Sequence, residues 1–425
     1  MTLTHTTLDN GLQILVQAAH TAPVVSSWVW YRVGLRNEHP GITGISHWVE
    51  HMLFKGTERW PAGAADRAIA RDGGVCNGMT WLDFTTFYET LPADKLALAL
   101  DIESDRMEQT RITEEDVASE RSIIISERQG SEDSPFFRLS EELTSAAYRV
   151  HPYGHETIGY RCDLDAITRD DLHDHLKRYY SPNNALVTIA GDIDVDAALE
   201  VARSAFGHIA RGPETPQVRA VEPRQRGERR VVVEGVGETD YVEIAYHVPE
   251  ARHRDVHALT VLNAILSGGS GFLVGSGHIT NYTSRLYRAL VDNEYAVDIR
   301  GSLTPTVDPG LYRISATVWP SSDAEAVSSR IEDELARLRE RPVAETELAK
   351  AQRQARALFA YSSESISNQA FWLGFSRVFA DGAWLDSYLD DLAAVTSEDI
   401  QRVAQTYLVP ANRTTGWYLS RGRNG

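Results

Sequence analysis

The chain has 425 residues, 42% hydrophobic and 24% charged, an ordinary globular composition long enough for two or more domains with their own cores. Its formal charge is -18, with four lysines among 42 basic residues, which excludes nucleic-acid binding and fits either basic peptide substrates or a solvated acidic surface without partner meaning. No run approaches the roughly 18 consecutive apolar residues of a membrane span, and the two cysteines, Cys76 and Cys162, exclude a disulfide framework or a cysteine-type zinc site.

The opening, MTLTHTTLDNG, has no basic segment followed by an apolar core. No secretory signal is expected, and a cytoplasmic location is the expectation. Strands follow in LQILVQ and VVSSWVWYRVG. Next comes His47-Trp48-Val49-Glu50-His51. Residues four apart share a face of a helix, so both imidazoles can bind one metal ion. Glu50 lies close to that face, and its carboxylate can reach a water on the metal. The order is the reverse of the H-E-x-x-H zinc signature, and the physics is the same. It names a reaction class, metal-assisted hydrolysis. The stretch GGVCNGMTWLDFTTFYETLP then reads as a glycine turn and an alternating strand, with Phe84 and Thr86 on one face and Thr85 and Phe87 on the other.

A catalytic zinc takes three protein ligands and keeps one position open. His47 and His51 supply two, so a third must come from another element. The candidate element is TEEDVASERSIIISERQ, which reads as a helix with Thr113 as N-cap and an acidic first turn. Glu120 and Glu127 are seven residues apart and share a face. One can ligate the metal while the other orients a histidine or a water. A solvated helix face is the plainer reading of either glutamate alone.

Farther along, AITRDDLHDHLKRYYSPNNA from Ala166 matches AVTSEDIQRVAQTYLVPANR from Ala394 at a constant offset of 228 residues. Each copy reads as a threonine N-cap, an amphipathic helix, a proline stop and a strand, NALVTIAGDI and NRTTGWYLSR. The position of each copy near the end of its half points to duplication of a whole domain. The aperiodic, Pro-, Arg- and Glu-rich stretch from Arg211 to Glu228 places a linker at residues 213–228, between a domain at 1–212 and a homologous one at 229–425. The second half opens on strands RRVVVEG and TDYVEIAYHV. Mixed strands and helices in each half predict an α+β fold of two homologous domains, each a mostly antiparallel sheet packed with helices. Nothing in 229–425 repeats His47, Glu50 and His51. His253 and His257 are four apart without a glutamate between them, and read as surface or helix-edge residues.

The segment GISHWVEHMLFKGTERWPAG resembles the signature of the pitrilysin-type (M16) zinc peptidases, with Met52 through Thr57 matching beyond the ligands. The family's second element, two glutamates seven apart, matches Glu120 and Glu127. The resemblance extends along the whole chain. It implies a zinc ion held by His47, His51 and Glu127, with Glu50 as general base and Glu120 as an essential outer-shell glutamate. It makes the region after Gly74 the edge strand that receives substrate, with Asn77 contacting it. Gly78 stands where the family has alanine, a change that loosens the strand edge. Arg285 and Tyr295 match an arginine and a tyrosine that bind substrate from the second domain, although the interval between them is shorter than usual and the preceding Gly-rich loop longer. His278 in that loop reads as an exposed histidine.

The resemblance also implies a peptide substrate and a dimer. The family chamber takes four such domains and this chain supplies two. A homodimer is the first expectation; a heterodimer with a metal-free homologous subunit is the second. A non-catalytic scaffold, as some relatives of the fold are, usually lacks a ligand or the base, and here all four positions are intact. A structural zinc module is the weaker alternative, because such sites are closed by four ligands, often cysteine.

Overall fold

Six strands in the first half build one sheet: β1 (Leu3–Thr7), β2 (Gln13–Ala18), β3 (Val24–Tyr31), β4 (Val75–Thr80), β5 (Thr85–Pro92) and β6 (Ala185–Gly191). Their order is β1-β2-β6-β3-β5-β4, antiparallel except for the pair of β2 with β6. Five strands in the second half, β7 (Arg229–Val236), β8 (Tyr241–Val248), β9 (Ala296–Leu303), β10 (Gly310–Val318) and β11 (Arg413–Arg421), follow the order β7-β11-β8-β10-β9. Here too the last strand enters beside the first in parallel and beside the second antiparallel. Apart from β1, the two sheets have one topology, the product of a duplicated α+β domain.

The repeated segments show why. Thr168 caps the helix Arg169–Tyr179 in a reciprocal box with Asp171, and Thr396 does the same with Asp399 for Ser397–Tyr407. Each helix stops at a proline turn. The asparagine ending that turn, Asn184 or Asn412, donates from its amide to the carbonyl of Tyr179 or Tyr407 at 2.8 Å, which sets the chain into the central strand.

The computed structural model describes residues 3–268, 282–380 and 382–422, and these form two compact units. The Gly-rich stretch with His278 lies outside the described residues. One unit comprises Met1–Gln129, His155–Arg219 and Ser363–Val378; the other comprises Gly130–Gly154, Ala220–Ser362 and Phe379–Gly425. Each therefore holds a helix from the opposite half of the sequence. Residues 211–228 form no helix or strand. No helix among the described residues is long and apolar enough to cross a membrane.

In the first unit, β3 and β6 are buried along nearly their whole length because both faces of the sheet are covered. Val25, Val29 and Tyr31 of β3 face a core shared with Trp48, Val49 and Met52. Trp28 and Trp30 face the other way and meet Phe371 of the helix Ile366–Phe379, ring centroids 5.3 Å apart in both cases. The Trp30 indole donates to Thr188 Oγ1, whose hydroxyl donates to the Ala370 carbonyl. In the second unit the helix Pro135–Ala147 plays the matching part against β7, β8 and β11. Arg313 of β10 holds it by donating to Ser140 and Thr144, and also pairs with Glu243.

Candidate metal centre

Backbone conformation starts the motif helix, Ile45–Leu53. Gly44 has φ +85, and a Cβ there would lie 2.5 Å from the Ile158 carbonyl oxygen, so only glycine fits. The amides of Gly44 and Ser46 donate to the two oxygens of Glu38 at 2.8 and 2.9 Å. A carboxylate at a helix N-terminus satisfies orphan donors. Burial pushes the Glu38 carboxyl up to about 8 against these same hydrogen bonds.

The helix brings His47 and His51 together with Nε2 atoms 3.2 Å apart. The helix Glu114–Glu132, started by Thr113, whose hydroxyl accepts from the Asp116 amide, supplies both glutamates. Glu127 Oε2 lies 3.6 Å from His51 Nε2, and Glu120 Oε1 lies 2.9 Å from His51 Nδ1. Arg121 locks the two helices: its guanidinium donates to the carbonyls of Leu164 and Ile167 and stacks 4.8 Å from the buried Trp48 ring. His47, His51 and Glu127 each offer a donor atom within 4.8 Å of the others. Among the described residues they are the one group of three or more His, Cys, Asp or Glu so arranged.

Burial pulls the His47 imidazole down to about 3, with His51 adding to the effect. It is therefore neutral near pH 7 and carries a free lone pair. Glu50 is buried beside them, and burial raises its carboxyl above the usual range. The largest opposing influence is the Thr80 hydroxyl, which donates to Glu50 Oε2 at 2.7 Å, with His51 adding to it. Lys55 Nζ pairs with Glu120 Oε2.

The region after Gly74 is two strands joined by a hairpin, and only β4 is an edge; β5 pairs on both sides. Asn77 is exposed on β4, and its Oδ1 accepts from the Gly78 amide at 2.9 Å. A methyl on Gly78 would sit 3.0 Å from the Phe54 and Phe87 rings, so glycine here goes with close packing of Phe54 beneath the strand.

Arg285 and Tyr295 belong to the second unit. Arg285 opens a short helical segment that continues as a π-helix over Tyr287–Val291, and its guanidinium makes a two-point pair with Glu347 at 2.9 and 2.7 Å. The Tyr295 hydroxyl accepts from Arg330, whose guanidinium also lies 3.6 Å from the ring centroid. His257 packs beside Tyr388 and Trp384 on the edge of its helix.

Sequence reasoning placed Lys55 inside the matching stretch without a role and gave none to Thr80, Glu38 or Arg121. Lys55, Thr80 and Arg121 act through partners distant in the chain, Glu38 through the helix start six to eight residues on, and only Arg121, next to Glu120, carried a local hint.

Residues 13–161 match the family described as Insulinase (Peptidase family M16), and residues 166–355 match the one described as Peptidase M16 inactive domain. The chain is 30% identical to "Zinc protease PqqE" of Helicobacter pylori, over 96% of this chain and 91% of that protein. It is 26% identical to "Probable mitochondrial-processing peptidase subunit beta" of Arabidopsis thaliana, over 95% of this chain and 76% of the relative. Its structure is similar to that of a protease from Helicobacter pylori, with TM-score 0.92 and 28% identity, covering 98% of this chain and 99% of the other.

Proposed function

This chain belongs to the M16 peptidase family, and we propose that it is a zinc-dependent endopeptidase acting on extended peptides or unfolded segments inside a chamber formed by a dimer. The observation that carries this reading is the convergence of His47, His51 and Glu127, with Glu50 on the same helix as both histidines. The donor set fits the ion. Two nitrogens about 2.05 Å from one tetrahedral zinc lie about 3.3 Å apart, and the two Nε2 atoms are 3.2 Å apart. His51 Nδ1 faces a carboxylate, which leaves Nε2 as its ligand atom. Zinc in this set supplies a Lewis acid that activates water and polarises a peptide carbonyl.

The chain's own residues do the rest. Glu50 takes a proton from the attacking water and returns it to the leaving amine; its raised pKa suits a group that must act as base and then as acid. Glu120 holds His51 in one tautomer, and Lys55 holds Glu120. Substrate adds to the open edge of β4 as a further strand, with Asn77 in contact, a mode that reads backbone more than sequence. Arg285 and Tyr295 bind substrate after exchanging their present partners, Glu347 and Arg330, for it. Because both sets are carried by one chain, the dimer is a homodimer. The second reading, a partner-dependent subunit of a heterodimeric processing complex, is favoured by the relative named as a beta subunit. A cytoplasmic location agrees with Cys76 and Cys162 both being free.

The test is cleavage of an unstructured peptide library by the purified protein and by Glu50→Gln. Cleavage by the parent and a loss of about 100-fold or more in the variant are expected. Equal cleavage by both would remove Glu50 from the mechanism. Zinc binding without cleavage by either would favour the partner-dependent subunit.

A further inference from the structure

Thr80 ends β4, and it is buried against Glu50. Its hydroxyl has two acceptors in reach: Glu50 Oε2 at 2.7 Å and Thr85 Oγ1 at 3.3 Å. The Thr85 hydroxyl gives its own proton to the Val33 carbonyl at 3.0 Å and accepts from the Tyr180 hydroxyl at 3.3 Å. The shorter contact is to a carboxylate, and such charge-assisted bonds are the stronger ones. The Thr80 proton therefore belongs to Glu50. The base is thus gripped by the end of the very strand whose open edge is the proposed substrate template.

We propose that Thr80 is the positioning residue that couples substrate binding on β4 to the alignment of Glu50. The inference rests on the peptidase reading above. A carboxylate acting as base needs one oxygen free and its plane fixed. The Thr80 hydroxyl occupies Oε2, so Oε1 is left for proton transfer. A peptide paired along β4 extends the sheet and immobilises the strand end, and with it the carboxylate plane. Binding energy from residues remote from the scissile bond is then spent on aligning the base, and appears in kcat rather than in KM. The substrates favoured are peptides long enough to pair along all six residues from Val75 to Thr80.

The experiment compares the zinc-loaded parent with Thr80→Val, which keeps the shape and removes the hydroxyl, and Thr80→Ser, which restores it. Thr80→Val should lose about 10-fold or more in kcat, with KM on a long extended peptide and zinc content unchanged, and Thr80→Ser should recover most of the loss. Thermal midpoints of the parent, Thr80→Val, Glu50→Gln and the double variant supply a readout independent of turnover. The two substitutions act on the same contact, Thr80→Val by removing the donor and Glu50→Gln by removing the acceptor's charge, so the double variant should fall by less than the sum of the single falls. Additive midpoints, a serine variant as impaired as the valine one, or a rise in KM with kcat kept would each overturn the role. If the parent cleaves and Glu50→Gln does not, but Thr80→Val matches the parent, this inference fails alone. If the parent does not cleave, the peptidase reading fails first and takes the inference with it.

Discussion

Glu120 serves two partners, accepting from His51 Nδ1 with one oxygen and meeting Lys55 with the other. The first contact places the lone pair of His51 on Nε2. Replacing the carboxylate with an amide of the same shape keeps an acceptor but removes the charge that makes the imidazole a better ligand. Glu120→Gln should weaken zinc binding by about 10- to 100-fold, because partners of ligating histidines typically contribute that much. Competition with a chelator of known affinity measures it; an unchanged affinity would show that Glu120 does not tune His51. The glutamates were legible in sequence because seven residues make two turns, which puts both on one face whatever the fold. Thr80 was not, because it meets Glu50 from a strand 30 residues away, and no local period records a hairpin edge passing over a helix.

Among the elements, the helix Ile366–Phe379 has the least visible logic in sequence. It presents Phe371 to Trp28 and Trp30 and Phe375 to Phe84, so this aromatic face packs against residues of the opposite half of the sequence. Gly374 lets it approach: a methyl there would fall 2.0 Å from the Trp30 indole nitrogen. Trp30 cannot yield without giving up Thr188. Gly374→Ala should therefore cost about 1–3 kcal/mol, the usual price of overpacking a close-packed core, seen as a lower urea midpoint with an unchanged m-value. A midpoint at or above the parent's would mean that the helix shifts freely. The alternation in β3 was readable as a strand. That β4 is an edge and β5 an interior strand was not, because the hairpin between them decides it.

The duplication was legible from its most local part, the capped helix, proline turn and strand that recur 228 residues apart. Apart from β1, the sheets confirm it by sharing strand order and the sense of every matching pair. What the repeat could not reveal is that each unit completes itself with a helix from the opposite half. That gives an expectation for separated halves. A fragment of residues 1–228 keeps every strand of the first sheet but lacks 363–378, so Trp28 and Trp30, now 3% and 0% exposed, would face water. Such a fragment should show red-shifted tryptophan emission and bind a hydrophobic dye. Native-like emission with cooperative unfolding would show that the donated helix is dispensable.

The late position of that helix also sets a timetable for synthesis. A ribosome has made every strand of the first sheet by Gly191, but the cover for its tryptophan face is not made until Phe379. At about 5–20 residues per second, some ten to forty seconds of translation separate the two. Through that interval the nascent chain carries an aromatic surface with no cover, a natural place for a chaperone to wait.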